Sequence, residues 1–217
     1  MKFDYVTDPD EIYRRSFAII ESESDLSQVP EDLKPAVIRM VHASGDTGLA
    51  RDIAFSADAA AAGKAAINAG AKIFTDVEMV GHGIHRPYLL ESSEIVTLIR
   101  HPDIAEAAKR LATTRAAAAV DVWGNALAGA IVAIGNAPTA LFRLLEAMSE
   151  GGPRPALIVG MPVGFVGAAE SKEALIAHSC GVPYITVRGR RGGSPLAVAA
   201  LNALAIAAKA EREGAGK

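Results

Sequence analysis

Short apolar segments alternate with helical segments along the second half of the chain, and this alternation limits the possible folds more than any other feature. Residues 129–135, 156–159 and 184–187 have the length and apolar composition of buried strands. Helical patterns follow them at 138–150, 169–178 and 195–209. Such strands, separated by helices, predict a mainly parallel sheet that helices cover on both faces. We therefore expect a three-layer, Rossmann-like α/β fold in a single domain over residues 1–210, with a flexible tail at 211–217.

The first half of the chain carries weaker signals of the same architecture. Residues 72–76 and 94–99 predict two further strands, and residues 103–120 predict one helix. Ser56 predicts the N-cap of an alanine-rich helix that ends at Gly70.

Composition excludes several classes of protein. Of the 217 residues, 50% are hydrophobic and 22% are charged, so the chain can bury a core and is not disordered. The single cysteine, Cys180, excludes a disulfide framework and a multi-cysteine zinc site, and it fits a reducing compartment. A net charge of −3 and an aromatic content of 5% argue against nucleic acid as a partner. No apolar run reaches the ~20 residues of a membrane helix, and residues 1–5 do not resemble a secretory signal, so we expect a cytoplasmic protein.

Polar and glycine-rich segments follow the predicted strands. Ligands of parallel sheets bind at the carboxyl ends of the strands, which here are residues 135–139, 160–167 and 188–194. Glycine-rich turns into helices expose N–H groups that favour anions, and arginines bind carboxylates or phosphates through paired hydrogen bonds. The sequence therefore predicts a pocket for a large anionic ligand. Its candidate contacts at the strand ends are Asp76, Asn136, Thr139, Gly164, Phe165, Arg188 and Arg191.

The motifs of nucleotide-binding enzymes and of serine hydrolases are missing from the chain. No G-x-G-x-x-G segment follows the first strand, and there is neither a P-loop nor a G-x-S-x-G nucleophile elbow. These absences disfavour a nucleotide-dependent enzyme. His82 and His85 have a spacing that metal ligands use, but no cysteine or third histidine lies nearby at a suitable interval, so we predict no metal site.

Two polar residues lie on helix faces that are otherwise apolar. His42 follows Ile38 and Val41 at helical spacing, shortly before a glycine that can end the helix. It is either a buried histidine with satisfied hydrogen bonds or an acid or base at the edge of a pocket. Ser16 shares a face with Phe17 in the first helix, and it either bonds a backbone carbonyl or points into a site.

Six segments of the chain, taken in order, resemble the precorrin-8X methylmutase family of cobalamin biosynthesis. They are I-Y-R-R-S-F at 12–17, R-M-V-H-A-S-G at 39–45, T-D-V-E-M-V at 75–80, G-N-A-P-T-A-L at 135–141, residues 160–172, and R-G-R-R-G-G-S-P-L-A at 188–197. The resemblance extends from about Tyr5 to Ala208. Members of the family often carry Cys where this chain has Ser44, so no thiol is needed at that position.

The resemblance implies an isomerase that uses no cofactor. The family moves a methyl group from C-11 to C-12 of a corrinoid polycarboxylate, which converts precorrin-8X to hydrogenobyrinate, and it works as a homodimer with the substrate near the subunit interface. By this resemblance His42 is the proton donor or acceptor and Ser16 contacts the substrate. Arg15 and Arg115 are further candidates for carboxylate contacts.

Two other functions remain open at this point. The motifs are shared with the methylmutase of the anaerobic route, which acts on a cobalt-containing precorrin-8. A corrinoid carrier without catalysis would bind the same ligand and hand it over to neighbouring pathway enzymes. The histidine of the R-M-V-H-A segment favours the enzyme over the carrier.

Overall fold

The computed structural model describes residues 1–215 and contains one six-stranded sheet. The strands are β1 (Ile53–Phe55), β2 (Ile73–Thr75), β3 (Ile95–Thr97), β4 (Ile131–Ile134), β5 (Leu157–Gly160) and β6 (Tyr184–Val187). Their order across the sheet is β1-β6-β5-β4-β2-β3, and every neighbouring pair is parallel except β1 with β6. The predicted mainly parallel α/β sheet is confirmed.

Helices cover both faces of this sheet. They are α1 (Pro9–Glu23), α2 (Lys34–Ser44), α3 (Ala59–Asn68), α4 (Glu78–Gly83), α5 (Pro102–Arg110), α6 (Arg115–Trp123), α7 (Pro138–Ser149), α8 (Ala168–Ala177) and α9 (Ser194–Ala215). Within residues 1–215, no helix combines the length and apolarity needed to cross a membrane.

The core consists of two apolar layers that the sheet separates. Strand β4 contributes to both layers, because successive side chains of a strand point to opposite faces. Ile131 and Ala133 pack with α2, α3 and α9, whereas Val132 and Ile134 pack with α5, α6 and α7. Helix α1 lies outside α2 and places its buried residue Ile20 in the first layer. The structure is therefore the expected three-layer arrangement.

The N-terminal edge of the sheet differs from the sequence-based prediction. Strand β1 was not predicted, because it has only three residues and pairs antiparallel at the sheet edge. Ser56 does not cap α3, whose N-cap residue is Asp58. The hydroxyl of Ser56 instead accepts the N–H of Tyr184 at 3.1 Å and so links β1 to β6.

The single helix predicted over residues 103–120 is two helices. Helix α5 ends before Leu111, and Ala112 has a left-handed φ of 48° that no helix can contain. The hydroxyl of Thr114 then accepts the N–H of Ala117 at 3.1 Å and caps α6. Arg115 is therefore the first residue of α6.

The last helix is longer than its apolar pattern predicted. Helix α9 extends to Ala215, past residue 209. Its polar end is held from the side, since Glu211 forms an ion pair with Lys64 at 2.7 Å and Arg212 donates to the carbonyl of Tyr88 at 2.9 Å. Residues 211–215 of the predicted tail are thus helical, and residues 216–217 lie outside the described part of the chain.

Candidate functional site

His42 and Ser16 form a hydrogen-bonded pair on the surface of the first helical layer. His42 lies in the last turn of α2, which ends at Gly45 with a left-handed φ of 66°. Ser16 projects from the middle of α1 across the contact between the two helices. Its hydroxyl lies 2.8 Å from Nδ1 of His42. The side chain of Ser16 therefore points to the histidine, which answers the question that the sequence left open.

Two aromatic rings hold the imidazole of His42 in place. The ring of Tyr13 stacks on it with the centroids 5.6 Å apart, and the ring of Phe17 meets it edge to face at 5.5 Å. Despite these contacts His42 is exposed, and so are Ile12 and Ile19 on the same side of α1. The imidazole is fixed in orientation but open to an incoming ligand.

The hydrogen bond with Ser16 occupies Nδ1 of His42 and leaves Nε2 free to exchange a proton with a ligand. A hydroxyl can donate to Nδ1 or accept from it, so it supports either tautomer of the ring. Nε2 is then a proton donor in one tautomer and a proton acceptor in the other. The pair can therefore move a proton in either direction at Nε2.

The loops after β5 and β6 are locked together through their main chains. The N–H of Gly193 donates to the carbonyl of Met161 at 2.7 Å, and the N–H of Gly164 donates to the carbonyl of Arg190 at 3.2 Å. A Cβ atom on Gly192 would lie 2.5 Å from the carbonyl oxygen of Pro162, so only glycine permits this approach. We call residues 161–167 and 188–193 together the loop platform.

The buried carboxylate of Asp76 fixes the main chain of the loop after β4. It accepts the N–H groups of Gly135, Asn136 and Ala137 at 2.9, 2.9 and 2.7 Å. The side chain is fully buried, and burial raises the pKa of Asp76, while the three N–H groups oppose this shift. Asp76 thus lies beneath the surface where a ligand contact was predicted, and it shapes the loop that carries Asn136.

A cavity of about 440 Å³ separates the end of α2 from the loop platform. Ala43 and Ser44 line it on one side, and Val163, Arg190 and Gly192 line it on the other. A smaller cavity of about 220 Å³ lies beside Ser16 and His42 themselves. Open space therefore adjoins the end of α2 on both sides.

Several of the predicted arginine contacts already have carboxylate partners within the chain. Arg15 pairs with Glu11 at 2.6 Å, and Arg188 pairs with Glu173 at 2.6 Å. The hydrogen bonds from Arg14 and Arg15 lower the pKa of Glu11 to about 2.

Arg191 and Arg115 differ in whether a carboxylate of the chain pairs with them. The guanidinium of Arg191 contacts both Asp46 and Asp52. Arg115 is exposed and forms no ion pair with any residue in the described chain.

The predicted contacts do not form one continuous surface in a single chain. Arg115 and Thr139 lie close together, because the hydroxyl of Thr139 bonds that of Thr114 at 2.7 Å. They belong to α6 and α7, in the helical layer opposite to His42. Phe165 is 83% exposed at the tip of the loop platform, where the guanidinium of Arg190 lies 5.3 Å from its ring.

Sequence reasoning missed some residues that shape this region. Asp46 and Asp52 were not singled out, and neither was Lys172, although all of them hold the loop platform. Lys172 had a usable signal, since Ala168, Ser171, Lys172 and Leu175 follow the spacing of a buried helix face. Among residues 1–215, no cluster of three or more His, Cys, Asp or Glu side chains could hold a metal ion.

The fold and the site define an α/β protein that holds an exposed, hydrogen-bonded histidine beside glycine-rich loops at the carboxyl ends of its strands. Comparisons with known proteins agree with this class and narrow it. The family model described as precorrin-8X methylmutase matches residues 11–207. A precorrin-8X methylmutase from Sinorhizobium sp is 51% identical over 94% of this chain and 97% of its own length. A cobalt-precorrin-8 methylmutase from Priestia megaterium is 43% identical over 92% of this chain and 88% of its own length.

A solved structure supports the same assignment. The precorrin-8X methylmutase from Thermus thermophilus superposes with a TM-score of 0.84 at 43% identity, and the match covers 93% of this chain and 97% of that chain. The chain belongs to the precorrin-8X methylmutase family, whose members are isomerases of cobalamin biosynthesis.

Proposed function

We propose that the chain catalyses the methyl shift from C-11 to C-12 of precorrin-8X and so forms hydrogenobyrinate, with His42 as the proton donor and acceptor. The observation that carries this proposal is the His42–Ser16 pair at 2.8 Å, exposed beside a cavity in a chain of this family. Substrate and product are isomers, so the reaction requires no net gain or loss of atoms.

The mechanism uses His42 to lower the electron density of the conjugated macrocycle. Nε2 donates a proton to the ring system, the methyl group migrates, and the proton returns to Nε2. Tyr13, Phe17 and Ser16 keep the imidazole oriented during these steps. General acid catalysis of this kind raises the rate about 10²–10⁴-fold. The remaining rate enhancement comes from holding the macrocycle in one conformation and from excluding water.

Charge and main-chain geometry support the recognition of the substrate carboxylates. Arg115 is an exposed cation without a partner among residues 1–215, and Asn136 and Thr139 face solvent near it. The loop platform adds Gly164 and Phe165 as contacts. For Asp76 we propose a positioning role, because its carboxylate is fully occupied by three N–H groups.

Unlike Arg115, the ion-paired arginines can bind a substrate carboxylate only by exchanging or sharing a partner within the chain. Arg15, Arg188 and Arg191 contact the substrate only where a substrate carboxylate replaces or joins the pairs that they form within the chain. An exchange of one carboxylate for another costs little in an exposed pair.

A second copy of the chain completes the site in our proposal. The histidine pair is exposed, and the side chains of Ile12, Tyr13 and Ile19 around it are about half exposed or more, at 46%, 51% and 54%. Apolar surface of this kind beside a reactive group favours a cover that excludes water. A homodimer with the site near its interface supplies such a cover. We place the reaction in the cytoplasm, with the product handed over to the next enzyme of the pathway.

The similarity values favour the metal-free substrate. The precorrin-8X enzyme is 51% identical and the cobalt-precorrin-8 enzyme is 43% identical to this chain. The cobalt-containing precorrin-8 therefore remains the second candidate substrate, and the genes beside this one would separate the two routes.

The test is an absorbance spectrum of the purified protein with precorrin-8X, for the wild type and for His42→Ala. We expect the corrin product spectrum with the wild type and a rate at least about a hundredfold lower with the variant. Binding by the wild type without conversion would favour the carrier or the cobalt-containing substrate. An unchanged rate in the variant would exclude His42 as the acid.

A further inference from the structure

Lys172 is a buried cation that the mechanism above does not use. It lies on α8, between Ser171 and Glu173, and its side chain is fully inaccessible to solvent. The ammonium group donates a hydrogen bond to the main-chain carbonyl of Arg191 in the loop platform. Within the described residues no carboxylate forms an ion pair with it.

A buried ammonium group without a carboxylate partner destabilises the fold, so its presence requires a structural explanation. Burial lowers the pKa of Lys172 to about 8, and the neighbouring charge of Glu173 only partly opposes this shift. An apolar residue of the same length would fill the space without that cost. What a lysine adds is a donor on a long stem that reaches a loop carbonyl from beneath.

Arg191, whose carbonyl accepts this hydrogen bond, is held through its side chain as well. The guanidinium of Arg191 contacts Asp46 and Asp52, on the segment that follows α2. The main chain and the side chain of Arg191 are therefore both fixed, and its charge is already neutralised.

Arg190 is the adjacent residue, and it stands in a different position. Both arginines line the 440 Å³ cavity, but the guanidinium of Arg190 lies over the ring of Phe165 and has no carboxylate partner within residues 1–215. Of the two adjacent arginines, Arg190 is the one that can meet a carboxylate in the cavity.

We propose that Lys172 is a positioning residue for substrate binding: by holding the main chain of Arg191, it fixes the loop that presents the Arg190 guanidinium to a carboxylate of the ligand. This inference rests on the proposed function, because it takes a corrinoid polycarboxylate as the ligand. Lys172 itself does not touch the substrate and acts through Arg190.

The experiment is a double-mutant cycle with Lys172→Met, Arg190→Gln and the double variant. The quantities measured are KM and kcat for precorrin-8X at pH 7, and the Kd of hydrogenobyrinate from an absorbance titration. Each single variant raises KM and Kd about tenfold, as expected for a lost charged hydrogen bond, and changes kcat less than about twofold. Because Lys172 acts through Arg190, the double variant has nearly the same KM as either single variant. The matched control is Lys64→Met, since Lys64 pairs with Glu211 at the opposite side of the fold and its loss leaves KM unchanged.

Three results would overturn the inference. They are a KM of Lys172→Met equal to that of the wild type, effects that multiply to about a hundredfold in the double variant, or a KM of Arg190→Gln equal to that of the wild type. The last result decides the matter even where Lys172→Met does not fold. A wild type that binds hydrogenobyrinate but converts no precorrin-8X contradicts the proposed function and leaves the Kd cycle as the test of Lys172. A wild type that does neither overturns both.

Discussion

The loop platform and the histidine pair are built in opposite ways. The platform is held by its main chain, through the hydrogen bonds of Gly164 and Gly193 and through the buried side chain of Lys172. The imidazole of His42 is held only by side chains, on an exposed surface of the chain. This difference suits the division of roles in the proposed function, where the platform fixes the position of the ligand and His42 supplies the proton.

This division leads to a contrast between two kinds of variant. Changes beneath the loops should alter stability and binding, because they release buried groups. Changes at the histidine pair should alter the rate while the fold stays intact, because the pair contributes little to the core.

The largest effect should come from the buried ammonium of Lys172 at high pH. Its pKa in the folded protein is about 8, below the ordinary value of 10.5, so between these values the unfolded chain binds the proton and the folded chain does not. The free energy of unfolding should therefore rise with pH in this window, by about 3 kcal/mol relative to Lys172→Met. Urea unfolding of both proteins from pH 7 to pH 11 measures the difference. A constant difference over this range would contradict the buried, charged lysine.

His42→Ala should lower kcat by about a hundredfold or more, which corresponds to about 2.7 kcal/mol in the activation free energy. The exposed ring contributes little to the core, so the free energy of unfolding should change by less than about 0.5 kcal/mol. Stopped-flow absorbance and urea unfolding give the two values. His101→Ala is the control, because His101 is an exposed histidine at the start of α5, and it should change neither.

Asp76→Asn should destabilise the fold by about 2 kcal/mol, because an amide cannot accept all three N–H groups and its own NH₂ faces a buried donor. Urea unfolding at pH 7 measures this loss. The control is Asp103→Asn, at an exposed position of α5, which should stay within about 0.5 kcal/mol of the wild type. Equal stabilities of the two variants would show that Asp76 does not hold the loop after β4.

Ser16→Ala should have the smallest effect, a roughly fivefold lower kcat, since one neutral hydrogen bond contributes about 1 kcal/mol. In the background of His42→Ala, the same change should have no further effect on kcat. An additive loss in that double variant would mean that Ser16 acts independently of the histidine.

Much of the fold could be predicted from the local pattern. The apolar segments before the loops predicted β6 at its observed bounds and β5 within one residue, because buried parallel strands are continuous apolar runs. For β4 the predicted run of 129–135 was longer than the strand at both ends. Strand β1 was missed, since three residues at an antiparallel edge carry no comparable pattern. The break before Arg115 was missed because alanine continues on both sides of it.

The candidate site was predicted less completely than the fold. His42 and Ser16 could be selected as polar residues on apolar helix faces, and the family segments gave them their expected roles. The sequence could not show that Asp76 is buried beneath the loop it was expected to line, or that Arg191 is neutralised by two aspartates. Both facts depend on residues that are far apart in the chain.

The sequence by itself determined the alternation of strands and helices, the glycine-rich strand ends and the family. These are local properties, because side-chain periodicity and turn chemistry act within a few residues. Only the tertiary structure decided that His42 meets Ser16, that Lys172 reaches the carbonyl of Arg191, and that Arg191 is paired with two aspartates while Arg190 beside the same cavity is not. The physical reason is that these contacts join groups brought together by the packing of separate helices and loops, and no local pattern records which polar group another will find.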